Sequence, residues 1–181
     1  MYEQIAEDII CGRRLNRSDD VSFLIDGDLD SLRRAANRIR EVLCGNRVDL
    51  CTIINGRSGG ILGMGETWED RLDMAFDLAE LHIDSIPLNA LMPIPGTPLE
   101  GRETLSEEDI LRSIALFRFI NPTADIRLAA GRNLMQECGK QAFFSGANAT
   151  ITGDMLTTSG NNTEMERRML TESGFDISRA E

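Results

Sequence analysis

Apolar residues recur along this chain first at helical spacing and then in short runs set between helical stretches. The first 45 residues read as helical. Tyr2, Ile5 and Ile9 fall on one helical face, and a short helix carrying Val21 and Leu24 follows Arg17-Ser18-Asp19-Asp20. Leu29, Leu32, Ala36, Ile39 and Leu43 recur at steps of 3, 4, 3 and 4, the stripe of an amphipathic helix. Gly45-Asn46 then supplies the left-handed position at which such a helix stops.

From residue 48 the pattern changes. Val48 to Ile54 is a mostly apolar, β-prone run that stops at Asn55-Gly56. Runs of this kind fit strands of a parallel sheet buried on both faces. A glycine-rich stretch spans Gly59 to Glu66, and Thr67 with Asp70 forms a capping-box-like pair before a helix carrying Trp68, Leu72, Ala75, Phe76 and Ala79. Ser85 to Met92 is the next strand, followed by a rigid loop around Pro93 and Pro95-Gly96-Thr97-Pro98. Ser106 caps a helix with Ile110, Ile114 and Phe117 in phase, which ends at Asn121-Pro122. Ala124 to Ala130 is a strand, Gly131 turns into a helix through Leu134, Met135, Cys138 and Ala142, and Asn148 to Thr152 is a further strand. Thr163 to Ser173 is a final helix, with Thr163 and Glu166 spaced as a capping box. Strands alternating with helices imply parallel pairing through right-handed crossovers. The chain divides into an N-terminal helical segment (1–46), a β/α body (47–175) and a tail (176–181).

Composition narrows the function. Nineteen basic residues against thirty acidic ones leave a net charge of −11 in 181 residues, which opposes binding to nucleic acid or to an anionic membrane surface. An apolar content of 41% supports a globular chain, and no apolar run approaches the roughly 18 residues a membrane helix needs. The first residues are acidic and amphipathic, unlike a signal peptide, so the chain reads as cytoplasmic. In that compartment Cys11, Cys44, Cys51 and Cys138 read as free thiols, and they form no C-x-x-C pair. The single histidine, His82, sits at a helix end, where it complements the dipole.

Three features carry candidate chemistry. The Gly59–Glu66 stretch could bring backbone close to a ligand, or merely turn from strand to helix; it has no Lys-Ser/Thr ending and is not a P-loop. Arg127 is a charge inside an apolar strand, costly to bury without a partner. It points either at something anionic or electron-rich, or at a structural partner such as Glu66, Asp154 or Glu137. Asn89 is an amide inside an apolar strand, facing a ligand or a neighbouring backbone group.

The stretches SGGILGMGETWEDRLDMAFDLAEL, IDSIPLNALMPIPGTPLEG, IRLAAGR and FFSGANATITGDMLTT together resemble biotin synthase. IICGRRL and CGNRVDLCTIINGRSG resemble the start of clostridial-type members of that family. The resemblance implies a radical SAM fold on a (β/α)₈ barrel. It implies S-adenosylmethionine (SAM) bound at a [4Fe–4S] cluster, dethiobiotin as substrate, and sulfur insertion from an auxiliary iron–sulfur cluster to form biotin. By the same resemblance Gly59, Ile61, Gly63 and Glu66 lie on SAM, with Ile61 against its adenine; Asn89 contacts dethiobiotin; and Arg127 is a ligand of the auxiliary cluster.

One departure matters most. In the family, NGRSG leads into a C-x-x-x-C-x-x-C loop that holds the [4Fe–4S] cluster, whereas here NGRSG runs straight into GILGMGE. The family's cysteine ligands of the auxiliary cluster are absent too. A complete barrel takes about 250 residues, against 181 here. The junction at Ser58-Gly59 reads as an internal deletion through a short shared sequence, or as a gene-assembly error. In a closed barrel the last strand pairs with the first, so the retained strands remain contiguous. The expected fold is a half TIM-type barrel with outer helices and the strand order 59–62, 84–92, 124–129, 147–152, 48–54. Its open edges favour a homodimer or other self-association. Three functions compete: a biotin synthase-type enzyme, a non-catalytic binding or partner module, and a non-functional fragment. The missing loop opposes the first for this chain alone and predicts that it carries no [4Fe–4S] cluster.

Overall fold

The computed structural model describes residues 1–51, 60–152 and 163–177, without the side chains of Cys51 and Cys138. Three helices open the chain: α1 (Tyr2–Ile10), α2 (Phe23–Asp26) and α3 (Leu29–Leu43). Then come β1 (Asp49–Cys51), β2 (Gly60–Leu62), α4 (Trp68–Glu80), β3 (Ser85–Ala90), α5 (Glu107–Ile120) and β4 (Asp125–Leu128). Two 3₁₀ turns, Arg132–Leu134 and Gln136–Gly139, lead into α6 (Lys140–Phe143), β5 (Ala149–Ile151) and α7 (Thr163–Glu172).

The five strands form one parallel sheet in the order β1-β5-β4-β3-β2, the half-barrel arrangement expected from the sequence. Register divides its two faces. Ile86 pairs with Ile126 and Leu88 with Leu128, and all four are buried with the helices in the main core. The opposite face carries Ile61 beside Asn89, Ser85 beside Asp125, and Arg127 beside Ala149, with Asp49 beyond. Among the described residues β1 and β2 are the two edges of the sheet.

Helix ends follow local chemistry. The Asp28 carboxylate accepts from Ser31 N at 2.8 Å, and Ser106 Oγ accepts from Asp109 N at 3.1 Å. Thr67 and Asp70 close a full capping box, with Asp70 N donating to Thr67 Oγ1 (3.1 Å) and Thr67 N to Asp70 Oδ2 (2.8 Å). Each cap contributes about 1 kcal/mol. Helix α5 is buried from Ile110 to Ile120, apart from the half-buried Arg112, because it touches the sheet and also α2, α3 and α4. The N-terminal helices thus share the core of the β/α body.

Two local expectations are corrected. Residues 131–143 do not form one helix: Gly131 and Gly139 take φ of +89° and +82°, and Met135 is extended, so the segment breaks into turns. Glu166 does not cap α7. It turns into the core, where it accepts from Arg132 Nη1 and, at 3.0 Å, from Thr150 Oγ1. The 52–54 end of the first expected strand and residue 59 of the second lie outside the described residues, as does Ser58-Gly59.

Candidate functional site

The face of the sheet opposite the helices, with the loop after β2, gathers the described site residues proposed from sequence. Gly59 lies outside the described residues. Ile61 and Asn89 stand in register on neighbouring strands. Ile61 is 50% exposed, which leaves an apolar surface open to a ligand. Asn89 spans the sheet: its Oδ1 accepts from Ala130 N (3.1 Å) and its Nδ2 donates to Gly60 O at 3.4 Å. Backbone satisfaction, one of its two sequence readings, is therefore present. One amide hydrogen and one lone pair remain for a ligand.

The glycine loop is shaped around Glu66. One carboxylate oxygen accepts from Gly63 N (2.7 Å), and the other from Met64 N (2.8 Å) and Gly65 N (3.2 Å). Three successive N–H groups make an anion nest, and here the anion is the chain's own side chain. Gly63 and Gly65 have φ of +93° and +114°, where a side chain is strained. Burial pushes the Glu66 carboxyl up, but the Gly63 N–H, its own N–H and the Arg71 guanidinium outweigh it and hold the group below the usual glutamate range. Arg71 completes the lock. It donates to Glu66 from Nε and Nη2 (2.9 and 2.7 Å) and to Ser113 Oγ on α5 (3.1 Å), and it stacks 4.3 Å from the Trp68 ring centre.

Arg127 is 6% exposed, and its partner is none of the three acids considered from sequence. Nη2 donates to Asp49 Oδ2 at 2.7 Å, Nε to Ser85 Oγ at 3.3 Å, and Nη1 to Thr150 O at 3.4 Å. Glu66 is taken by Arg71, Glu137 pairs with Lys140 at 3.2 Å, and Asp154 lies outside the described residues.

Other buried charges escaped the sequence reading. Arg118 is fully buried on α5 and donates to the carbonyls of Gly146, Pro122 and Ala124 and to Asn148 Oδ1. A lone arginine inside Leu116-Phe117-Arg118-Phe119-Ile120 was the available signal. Its Nη1 also lies 3.2 Å from Cys44 Sγ. Burial raises the Cys44 thiol pKa despite that cation. A groove of about 500 Å³, lined by Leu15, Phe76, His82 and Pro122, opens at the other end of the strands, beside the residues that precede β3 and β4.

For a [4Fe–4S] cluster the described residues offer no ligand set: the sequence has no C-x-x-x-C-x-x-C, and among the described residues no three His, Cys, Asp or Glu side chains converge. At the position the resemblance gives to the auxiliary cluster, the Arg127 guanidinium has partners on three sides. For SAM, the exposed Ile61 beside a rigid glycine loop is compatible with an adenine ring. Among the described residues no helix is long and apolar enough to cross a membrane.

Comparison with known proteins defines the class first. The fold matches the crystal structure of methylornithine synthase with a TM-score of 0.75 at 14% identity, covering 97% of each chain. The chain thus carries a parallel β/α fold of the partial TIM-barrel type. The Biotin and Thiamin Synthesis associated domain family matches residues 87–176. Biotin synthase of Alkaliphilus metalliredigens is 67% identical over 120 residues, 66% of this chain and 38% of that protein. Biotin synthase of Brachyspira hyodysenteriae is 60% identical over 120 residues, 66% of this chain and 36% of that protein. Biotin synthase of Clostridium beijerinckii is 35% identical over 315 residues, 97% of this chain and 100% of that relative. The chain belongs to the biotin synthase family. The Alkaliphilus and Brachyspira matches cover little more than a third of those relatives' length. A match of 315 positions by a chain of 181 residues leaves more than a hundred of them without a counterpart in this chain.

Proposed function

We propose that this chain is a biotin synthase-like half barrel that does not carry out radical sulfur insertion on its own. The observation that supports this most directly is the junction. In the sequence NGRSG runs straight into GILGMGE, with no C-x-x-x-C-x-x-C between them to hold the cluster that reduces SAM. The family reaction converts dethiobiotin to biotin; the retained strands carry part of its binding wall but none of the cysteine framework.

In this reading β2 presents Ile61 to the adenine of SAM, the loop after it is held by Glu66, and Asn89 offers its remaining donor and acceptor to dethiobiotin. A binding module is the second reading, favoured by the exposure of Ile61 next to a loop already fixed by Glu66 and Arg71. The edges that β1 and β2 form among the described residues favour a homodimer or other self-association, and no nucleic acid or membrane partner is proposed.

Calorimetric titration of the purified chain with SAM and with dethiobiotin separates these readings. Saturable binding that weakens at least tenfold in Asn89→Ala for dethiobiotin supports the module. No heat with either ligand leaves a family remnant. Biotin formation by this chain alone contradicts the proposal.

A further inference from the structure

Arg127 and Asp49 stand on strands that do not touch. Between β4 and β1 runs β5, and Ala149 is in register with both residues, on the same face. Two strand spacings separate the flanking backbones by about 9–10 Å. The bare methyl of Ala149, itself fully buried, leaves the path between them open. Arg127 therefore lies along the sheet. It touches Ser85 on β3, the Thr150 carbonyl on β5 and the Asp49 carboxylate on β1, with the Asp125 carboxylate 3.8 Å away.

We propose that Arg127 is a brace that ties the edge strand β1 to the centre of the sheet, and is not a ligand of the auxiliary iron–sulfur cluster. This rests on the family reading only for the role it replaces. A guanidinium offers five N–H donors and no acceptor. Asp49 pairs with its charged form, while Ser85 and Thr150 take donors on two further sides. To reach iron, Arg127, itself buried, would have to leave all three partners and give up its charge pair with the half-buried Asp49. The edge strand gains most from the brace, because β1 has a single strand neighbour among the described residues and is three residues long. A side chain larger than alanine at 149 would block the path.

The test is a double-mutant cycle on the full chain: Asp49→Asn, Arg127→Met and the pair together. Thermal midpoints are read alongside bound iron after anaerobic reconstitution. The brace predicts that each single change lowers the midpoint by about 3 °C or more, that the double variant falls no further than the worse single, and that iron content is the same in all four proteins. Additive losses overturn the proposal. So does an Arg127→Met protein of unchanged midpoint that has lost iron which the parent retains. If Arg127→Met does not fold, Asp49→Asn decides alone, since it keeps both the shape of the site and Arg127. A lowered midpoint with unchanged iron supports the brace, and an unchanged midpoint contradicts it.

Discussion

Glu66 and Arg71, five residues apart, are joined by hydrogen bonds of 2.9 and 2.7 Å, and the same carboxylate takes three backbone N–H groups of the loop between β2 and α4. This one side chain sets the loop's shape and leaves Arg71 buried and neutralised. Glu66→Gln removes the charge and one acceptor while Arg71 stays buried. It is expected to cost about 3 kcal/mol at pH 7, read from urea unfolding.

The same pair makes stability depend on pH in a defined direction. The folded Glu66 carboxyl lies below its ordinary value, so its contribution is complete above about pH 4.3 and is lost as the pH falls through the lower folded value. Asp70 and Asp28, each held low by hydrogen bonds at a helix start, act in the same sense. The parent chain should lose stability steeply below about pH 4. Glu66→Gln should lose less over that interval, and unfolding midpoints measured from pH 6 to pH 3 check both.

Among the described residues Arg118 has no carboxylate within ion-pair distance; a fan of carbonyls just after α5 and just before β4 and β5 satisfies it. Lysine has one point of attachment and cannot reach this fan. Arg118→Lys is expected to destabilise the chain by about 3 kcal/mol, measured by circular dichroism during urea unfolding. A change under about 1 kcal/mol would show that the fan is not a structural centre.

Cysteine reactivity offers an independent check on the core. Cys44 is half-buried beside Arg118, with its thiol pKa raised by burial, whereas Cys11 is exposed. At pH 8 iodoacetamide should label Cys11 at least tenfold faster than Cys44, as resolved by peptide mass spectrometry. Equal rates would mean that the α3 end opens readily.

Much of this architecture was legible because it rests on short-range pattern. The periodicity of Leu29 to Leu43 defined α3, and Thr67 with Asp70 announced α4. The strand order followed from one topological fact, that the last strand of a barrel pairs with the first. What was not legible depends on distance or on glycine. Asp49 is 78 residues from Arg127, and nothing local marks it as the partner. Glu166 has the spacing of a capping residue, yet a buried arginine 34 residues away takes its carboxylate. The 131–143 stretch has helical spacing, but left-handed backbone at Gly131 and Gly139 divides it. Within the site, the apolar settings of Asn89 and Arg127 marked both residues, while their contacts emerged from the sheet register.

The most direct test of the central claim is 5′-deoxyadenosine release. The purified chain is reconstituted anaerobically with iron and sulfide and incubated with SAM, a low-potential reductant and dethiobiotin, and the nucleoside is quantified by chromatography. The account predicts release no greater than in a protein-free control, because the chain has no cysteine loop to place a reducing cluster against SAM. Release that rises in proportion to protein concentration would contradict it, and would show that this chain assembles a working cluster from residues outside the family's pattern.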